Sequence, residues 1–285
     1  MKALVNYLSN FIGETILSIK PISGGDISSS FLLNTSKNKY FLKVNSSING
    51  LAMFQAEVIG LSAINETKAI KTPNIIICGN YQKYAYLLME YIEVRSASAN
   101  DFELLGHHLA LLHKVSKHEF GFNENNFIGS LSQSNRKHKY WTNFYLEERI
   151  IPQLKLALAK KLLTKTDVPS YQNMHDICEK LFKNIKPSLL HGDLWSGNYL
   201  ISSDGTPYLI DPAVYYGHHE VDIAMSKLFG GFGASFYKAY NTHFHLDQLS
   251  NARMELYQLY YLLVHLNLFG TSYFNSVKKI ISKYF

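Results

Sequence analysis

Cysteine is nearly missing from this chain. Cys78 and Cys178 are the only two among 285 residues. They lack metal-ligand spacing, so both are expected to be buried, structural thiols in a reducing compartment. Membrane-spanning runs are missing too. The stretch from Leu256 to Phe269 is apolar but short, and it carries Gln258, His265 and Asn267, which suits a buried helix. The N-terminus, Met1-Lys2-Ala3-Leu4-Val5, is soon broken by Asn6, Ser9 and Asn10. It shows neither a secretory core nor a cleavage pattern. A cytoplasmic protein without a membrane partner is the expectation from these absences. Charge is sparse, at 18% against 47% hydrophobic residues, which excludes a disordered chain and predicts a real core. Long basic runs are absent despite a net charge of +6. The densest groups are Arg136-Lys137-His138-Lys139 and Lys278-Lys279. They read as solvated surface, not as a nucleic-acid stripe, although nucleotide phosphates would suit a mildly positive cleft. There are no internal repeats, no low-complexity tracts and no Walker A loop.

What is present divides near residue 95. Residues 1–95 alternate strands with one helix, and residues 96–285 are mostly helical. In the first part, Ile27 to Asn34 and Lys39 to Asn45 are extended runs joined by a polar turn. Leu51, Phe54, Val58, Leu61 and Ile64 mark one face of a helix. Ile75 to Cys78 and Tyr84 to Tyr91 follow as strands around a Gly79-Asn80 turn. Ser96 to Asn100 is a polar linker able to cap the next helix. Helical segments then cover Asp101 to Ser116, parts of Tyr140 to Lys161, Tyr171 to Lys183 and the region after Val221. A strand-rich island interrupts them from Ser188 to Tyr216.

Two charges stand where charge is costly. Lys43 lies inside the apolar strand Tyr40-Phe41-Leu42-Lys43-Val44, and Glu57 falls on the apolar face of its helix. Each is the simplest partner for the other, and a strand lysine held by a helix glutamate is how kinases aim an ammonium at nucleotide phosphates. The alternative is two side chains snorkelling at the edges of their elements. Gly24 and Gly25, two strands before Lys43, could let a backbone loop approach phosphates; alone they would read as a turn.

The island carries the chemistry. His191-Gly192-Asp193-Leu194-Trp195-Ser196-Gly197-Asn198 enters a strand, a tight turn at Ser203-Asp204-Gly205-Thr206 follows, and Pro207-Tyr208-Leu209-Ile210-Asp211 returns. A hairpin centred between Asp204 and Gly205, with no bulge, puts Asn198 opposite Asp211. Two oxygen-bearing side chains at its open end suit Mg²⁺. Asp193, close by on the entering loop, is placed to accept the proton of a hydroxyl attacking a γ-phosphorus.

At these residues the sequence resembles the fructosamine kinase (ketosamine-3-kinase) family, part of the aminoglycoside- and choline-kinase-like group. The resemblance covers nearly the whole chain. It rests on the His191–Asn198 block, on Asp211-Pro212-Ala213-Val214-Tyr215-Tyr216-Gly217-His218 and on Glu220 to Met225. The Asn126–Ser130 loop with Gln133 and Asn135 before Trp141, and the Tyr257–Gly270 segment, also match. It implies an α+β, two-lobed protein-kinase-like fold, with a small β-rich N-lobe for nucleotide and a larger, mainly helical C-lobe. It implies ATP and Mg²⁺, with phosphorylation of a ketosamine 3-hydroxyl. Asp193 would be the base, Asn198 and Asp211 the metal ligands, and Lys43 with Glu57 the phosphate clamp. Glu90-Tyr91-Ile92 would form the adenine-contacting hinge. Two departures stand out: His219 where many members have Arg, and Asp26 where some have Cys.

Other residues carry weaker readings. Trp195 is expected to stack on the sugar or wall the acceptor pocket, and the Asn126 loop to contact acceptor. His191 is read as a loop orienter and Asp222 as a hydrogen-bond partner of the loop backbone. His107, His108 and His113 are read as core or surface, and Phe102, Tyr140, Trp141 and Phe144 as packing aromatics. Two other functions remain open: the same chemistry on an aminoglycoside, choline or another sugar, or a silent nucleotide-binding module. Lys and Arg after residue 130 weigh against the acidic pocket an aminoglycoside would want, and an intact Lys, base Asp and metal Asp weigh against silence. A monomer or weak dimer is expected.

Overall fold

A computed structural model describes residues 1–22 and 28–285. Helix α1 (Lys2–Ile12) precedes a five-stranded antiparallel sheet of β1 (Ser18–Ile22), β2 (Ser29–Asn34), β3 (Lys39–Asn45), β4 (Ile75–Tyr81) and β5 (Tyr84–Glu90). Helix α2 (Gly50–Glu66) joins β3 to β4, and the spatial order is β1-β2-β3-β5-β4. Next come α3 (Ala99–His113) and the hairpin β6 (Asn126–Ile128) with β7 (Leu131–Gln133). Helix α4 (Trp141–Phe144) runs through a π-helical turn, Tyr145–Ile150, into α5 (Ile151–Ala159). After α6 (Tyr171–Leu181) lie four short strands, β8 (Ser188–Leu190), β9 (Tyr199–Ile201), β10 (Pro207–Leu209) and β11 (Tyr215–Gly217). The chain ends with α7 (Glu220–Leu228), α8 (Ala234–Asn241), α9 (Ser250–Phe269) and α10 (Phe274–Tyr284). No helix among the described residues is long and apolar enough to cross a membrane.

The inner strands β3 and β5 are apolar on both faces because both faces are covered. Leu42 and Val44 of β3, with Tyr86 and Leu88 of β5, pack under Leu4 and Leu8 of α1. Ala85, Leu87 and Met89 point the other way, with Phe41, against Phe54 and Leu61 of α2. The two-residue alternation of a strand puts Lys43 on the α2 face. Helix α1 itself goes unread in the sequence, where Asn6, Ser9 and Asn10 look like interruptions. Leu4 and Leu8, four apart, are its buried stripe, and Asn6 and Asn10 lie on the solvent side.

One turn moves. The expected break at Gly79-Asn80 is not a turn: β4 continues to Tyr81, which pairs with Tyr84 across Gln82 and Lys83. Gln82 takes the left-handed backbone, with φ of 54°. Gly79 is small because Tyr86 lies on it; a Cβ there would sit 2.8 Å from the Tyr86 hydroxyl.

The main hydrophobic core gathers α3 to α10 and takes in Ile64 and Ile70 from the first third. The linker into α3 is tied down. Ser98 and Asp101 form a reciprocal cap, and Arg95 grips the Asp101 carboxylate with both terminal nitrogens at 2.6 and 2.9 Å. Segment 93–95 runs as an extra strand along β9: the Arg95 N–H donates to the Ile201 carbonyl, and that of Ser203 to the Glu93 carbonyl. On the other edge of the hairpin, the Leu209 N–H donates to the carbonyl of Lys71, which precedes β4. The β9–β10 hairpin is thus pinned to the linker on one side and to the first third of the chain on the other.

Helices α3 and α8 cross closely at Gly106, where a Cβ would meet the Phe236 carbonyl oxygen at 2.4 Å. Backbone cannot retreat as a side chain can. Gly106→Ala should therefore cost about 1–3 kcal/mol, seen as a lower urea midpoint at unchanged slope. A variant as stable as the parent would show that the crossing is looser than described.

Candidate active site

The loop after β8 is held at the backbone polar groups of its first three residues, His191 to Asp193. Asp222 of α7 accepts from the N–H groups of His191 (2.7 Å) and Gly192 (2.9 Å). The His191 carbonyl accepts from Ala213 N–H, and the Gly192 carbonyl from the Tyr261 hydroxyl at 2.8 Å. The Asp193 N–H donates to His191 Nδ1, so the Nε2–H of that ring is the one donated to the Ile210 carbonyl at 2.8 Å. Burial pushes the His191 pKa down, in keeping with a neutral orienting ring. Gly192 has φ of 85°, and a Cβ would lie 2.1 Å from the Ala213 carbonyl oxygen, so only glycine fits.

Asp193 is delivered by this frame. Asn198 Nδ2 donates to its carbonyl (2.8 Å) and to its carboxylate (3.2 Å). Burial, then the charges of Asp211 and Asp222, push the Asp193 carboxyl up to about 7.

Lys43 meets this region from the sheet. Its ammonium lies 2.7 Å from Glu57 Oε1 and is in contact with the Asp211 carboxylate. Burial opposes the charge, but Asp211 and Glu57 together raise the lysine pKa. One ammonium faces two carboxylates, so the three groups titrate together. Glu57 is the more buried carboxylate, its side chain 12% exposed against 38% for Asp211. Burial first, and then Asp211, raise Glu57 to about 8; Lys43 overcomes burial at Asp211 and holds it low. Helix α2 comes close enough because Gly60, one turn after Glu57, sits against Pro212, with 3.0 Å from a notional Cβ to Cγ.

The hairpin register differs from the count made on the sequence. Leu209 pairs with Tyr199 and Pro207 with Ile201, so Ile210, not Asp211, lies opposite Asn198, and the Ile210 N–H donates to the Asn198 carbonyl. The turn has three residues, not two: Ser202 N–H donates to the Thr206 carbonyl, and Gly205 is left-handed at φ 89°. That is a bulged three-residue loop. Asp211 reaches Lys43 by its own left-handed bend, φ 53°, a conformation an Asp tolerates better than most residues.

Other expected site residues are placed as follows. Trp195 is 39% exposed, two residues after Asp193, with its ring over Gly197. Glu90 turns its carboxylate away to Asn74 Nδ2 at 2.7 Å, so only its backbone, with that of Tyr91 and Ile92, is set at the sheet's exit. Asn126 is buried, donating to the Val214 carbonyl (2.8 Å) and accepting from Gln133 (2.7 Å). Its amide ties β6 to the segment after Asp211. Gly24 and Gly25 lie outside the described residues. Tyr261 was not singled out from the sequence. Its hydroxyl is no distinguishing signal there, since Tyr257 and Tyr260 lie in the same helix.

Comparisons with known proteins show the family and the fold. The family model described as fructosamine kinase matches residues 1–285. An Arabidopsis thaliana protein named protein-ribulosamine 3-kinase, chloroplastic, is 40% identical over 277 residues, covering 94% of this chain and 83% of its own. A Lactiplantibacillus plantarum protein assigned as a ketoamine kinase is 38% identical over 271 residues, covering 94% and 95%. A crystal structure of a Haemophilus somnus protein assigned as a fructosamine-3-kinase superposes with a TM-score of 0.88 at 28% identity, covering 98% and 96%. The aminoglycoside phosphotransferase APH(4)-Ia shares the fold, with a TM-score of 0.62 at 16% identity over 98% of each chain. The two-lobed kinase-like α+β architecture is that of these neighbours.

The Lys43 cluster makes a prediction that needs no substrate. In Lys43→Met, Glu57 and Asp211 both lose their cation, so both folded-state pKa values rise and stability is lost as pH climbs above the unfolded carboxylate range of about 4. The melting-temperature gap to the parent should be wider at about pH 8 than at about pH 5. An equal gap at both would mean that the three groups are not coupled.

Proposed function

This chain belongs to the fructosamine kinase family, and from that premise we propose that it moves the γ-phosphoryl group of ATP to the 3-hydroxyl of a ketosamine, with Asp193 receiving the hydroxyl proton. The observation that carries this reading is the meeting of Lys43, Glu57 and Asp211 beside the Asp193–Asn198 pair. Residues 1–95 form the nucleotide lobe and 96–285 the catalytic and acceptor lobe. The backbone of Glu90-Tyr91-Ile92 takes the adenine, Gly24 and Gly25 cover the phosphates, and Lys43, steadied by Glu57, holds the α- and β-phosphates. Trp195 walls the acceptor side, and the loop around Asn126 shapes it.

The donor set suits Mg²⁺. The Asp211 carboxylate already attracts a cation, and Asn198, with Nδ2 spent on Asp193, has an amide oxygen to offer. When bound, the metal supplies charge neutralisation between the phosphates. The acceptor oxygen forms a bond to phosphorus as the bond to the β-phosphate oxygen breaks, ADP leaves, and the proton passes to Asp193. A carboxyl pushed up to about 7 is a better proton acceptor near neutrality than an ordinary one. Catalysis is then mainly placement and charge stabilisation. Two unpaired cysteines, and no membrane-spanning helix among the described residues, support a cytoplasmic enzyme.

Three measurements check this. Asp193→Ala should lose nearly all turnover while ATP still binds; turnover near the parent value would remove Asp193 from its role. In an ATP-consumption panel, fructosyl-, ribulosyl- or erythrulosyl-lysine should be turned over, and aminoglycosides and choline should not. Turnover confined to the latter would assign another acceptor. Because Asp193 must be ionised to act, kcat/KM should rise with pH along a limb whose midpoint lies between about 4 and about 7. A flat profile across that window would contradict the proton-acceptor role.

A further inference from the structure

Asp222 lies wholly buried in α7, yet it is ionised. Burial works against the charge, but hydrogen bonding to His113 and to backbone N–H groups holds its carboxyl below the usual range. Its two oxygens fix the peptides of His191 and Gly192, immediately before Asp193. A third partner comes from far away in sequence: His113 Nε2, in the last turn of α3, stands 3.1 Å from Asp222 Oδ2. The other ring nitrogen, Nδ1, is 2.7 Å from the hydroxyl of Tyr240 on α8. Beyond that hydroxyl lies His219 Nδ1, at 3.0 Å. His113 is 1% exposed and Tyr240 0%, so no solvent serves these atoms.

Counting hydrogens gives the chain a direction. A carboxylate only accepts, so His113 presents Nε2–H to Asp222. With a single ring hydrogen, Nδ1 is then bare and needs a donor. Burial keeps the Tyr240 phenol protonated, and its single hydrogen points at that nitrogen. The phenol oxygen is left to accept, and His219 supplies Nδ1–H. Burial pushes the His219 pKa down to about 3, so that ring is neutral and holds one N–H. With one hydrogen on the His113 ring, the order runs from His219 through Tyr240 and His113 to Asp222.

We propose that Tyr240, outside the cleft, is a positioning residue for the phosphoryl transfer: its hydroxyl holds His113 in the tautomer that aims an N–H at Asp222, and Asp222 holds the loop that carries Asp193. Without that donor the imidazole proton can move to Nδ1, setting a lone pair against the carboxylate and loosening the loop. The close crossing of α3 and α8 at Gly106 brings the two helices together. This inference rests on Asp193 being the proton acceptor.

Tyr240→Phe should lower kcat by roughly 10- to 100-fold with the KM for ATP held. A Gln at 113 presents its amide N–H without any tautomer choice. In a His113→Gln background, itself slower than the parent, adding Tyr240→Phe should cost nothing further. Equal losses in both backgrounds, or a Tyr240→Phe enzyme as fast as the parent, overturn the proposal. A second measurement needs no variant: ¹⁵N NMR of the unsubstituted protein should find His113 neutral with its proton on Nε2. A proton on Nδ1, alone or together with one on Nε2, overturns the proposal. If Asp193→Ala turns over normally, the proton-acceptor reading falls, and the NMR result still decides the hydrogen-bond chain.

Discussion

One ammonium between two carboxylates organises this molecule. Lys43, Glu57 and Asp211 come from a strand, a helix and a bend after a distant hairpin, and the first two are largely shielded from water. A charge on Lys43 or Glu57 would be expensive alone. Together they are tolerable, but one positive charge cannot balance two negative ones, so Glu57 is driven towards its protonated form. The cluster is therefore under-compensated as well as paired. A site of this kind favours cations at Asp211 and anionic phosphates at Lys43, and a nucleotide with its metal supplies both at once.

The fold's work is to bring those elements together and keep them there. Helix α2 reaches the segment after Asp211 through the small surface of Gly60. The β9–β10 hairpin is sewn to the linker at residues 93–95 and to Lys71, so the metal-ligand candidates cannot drift from the sheet that bears Lys43. On the other side, the backbone of 191–193 has almost no free polar group. Asp222, Ala213, Tyr261 and the His191 ring hold it. Phosphoryl transfer asks little covalent chemistry of a protein and much placement, and the hydrogen bonds are spent accordingly.

The parts legible in the sequence were those that break a local rule. Lys43 and Glu57 were visible as charges on apolar faces, and Asp193, Asn198 and Asp211 as polar residues crowded around a hairpin. Finer geometry was hidden. The hairpin count failed by one residue because Gly205 forms a bulge that spacing alone cannot reveal, and Asp211 arrives by a left-handed bend. Gly79 looked like a turn because composition does not show that Tyr86 lies over it. Helix α1 was missed because its two buried leucines sit among asparagines. His113 and Tyr240 were ordinary in sequence; only the crossing of α3 with α8 gives them a shared partner in Asp222.

The most direct measurement is a crystal structure with Mg²⁺ and a non-hydrolysable ATP analogue. The account predicts that the Lys43 ammonium leaves Asp211 for phosphate oxygens while keeping Glu57, and that Asp211 turns to the metal. A nucleotide bound elsewhere, with Lys43 still on Asp211, would contradict it.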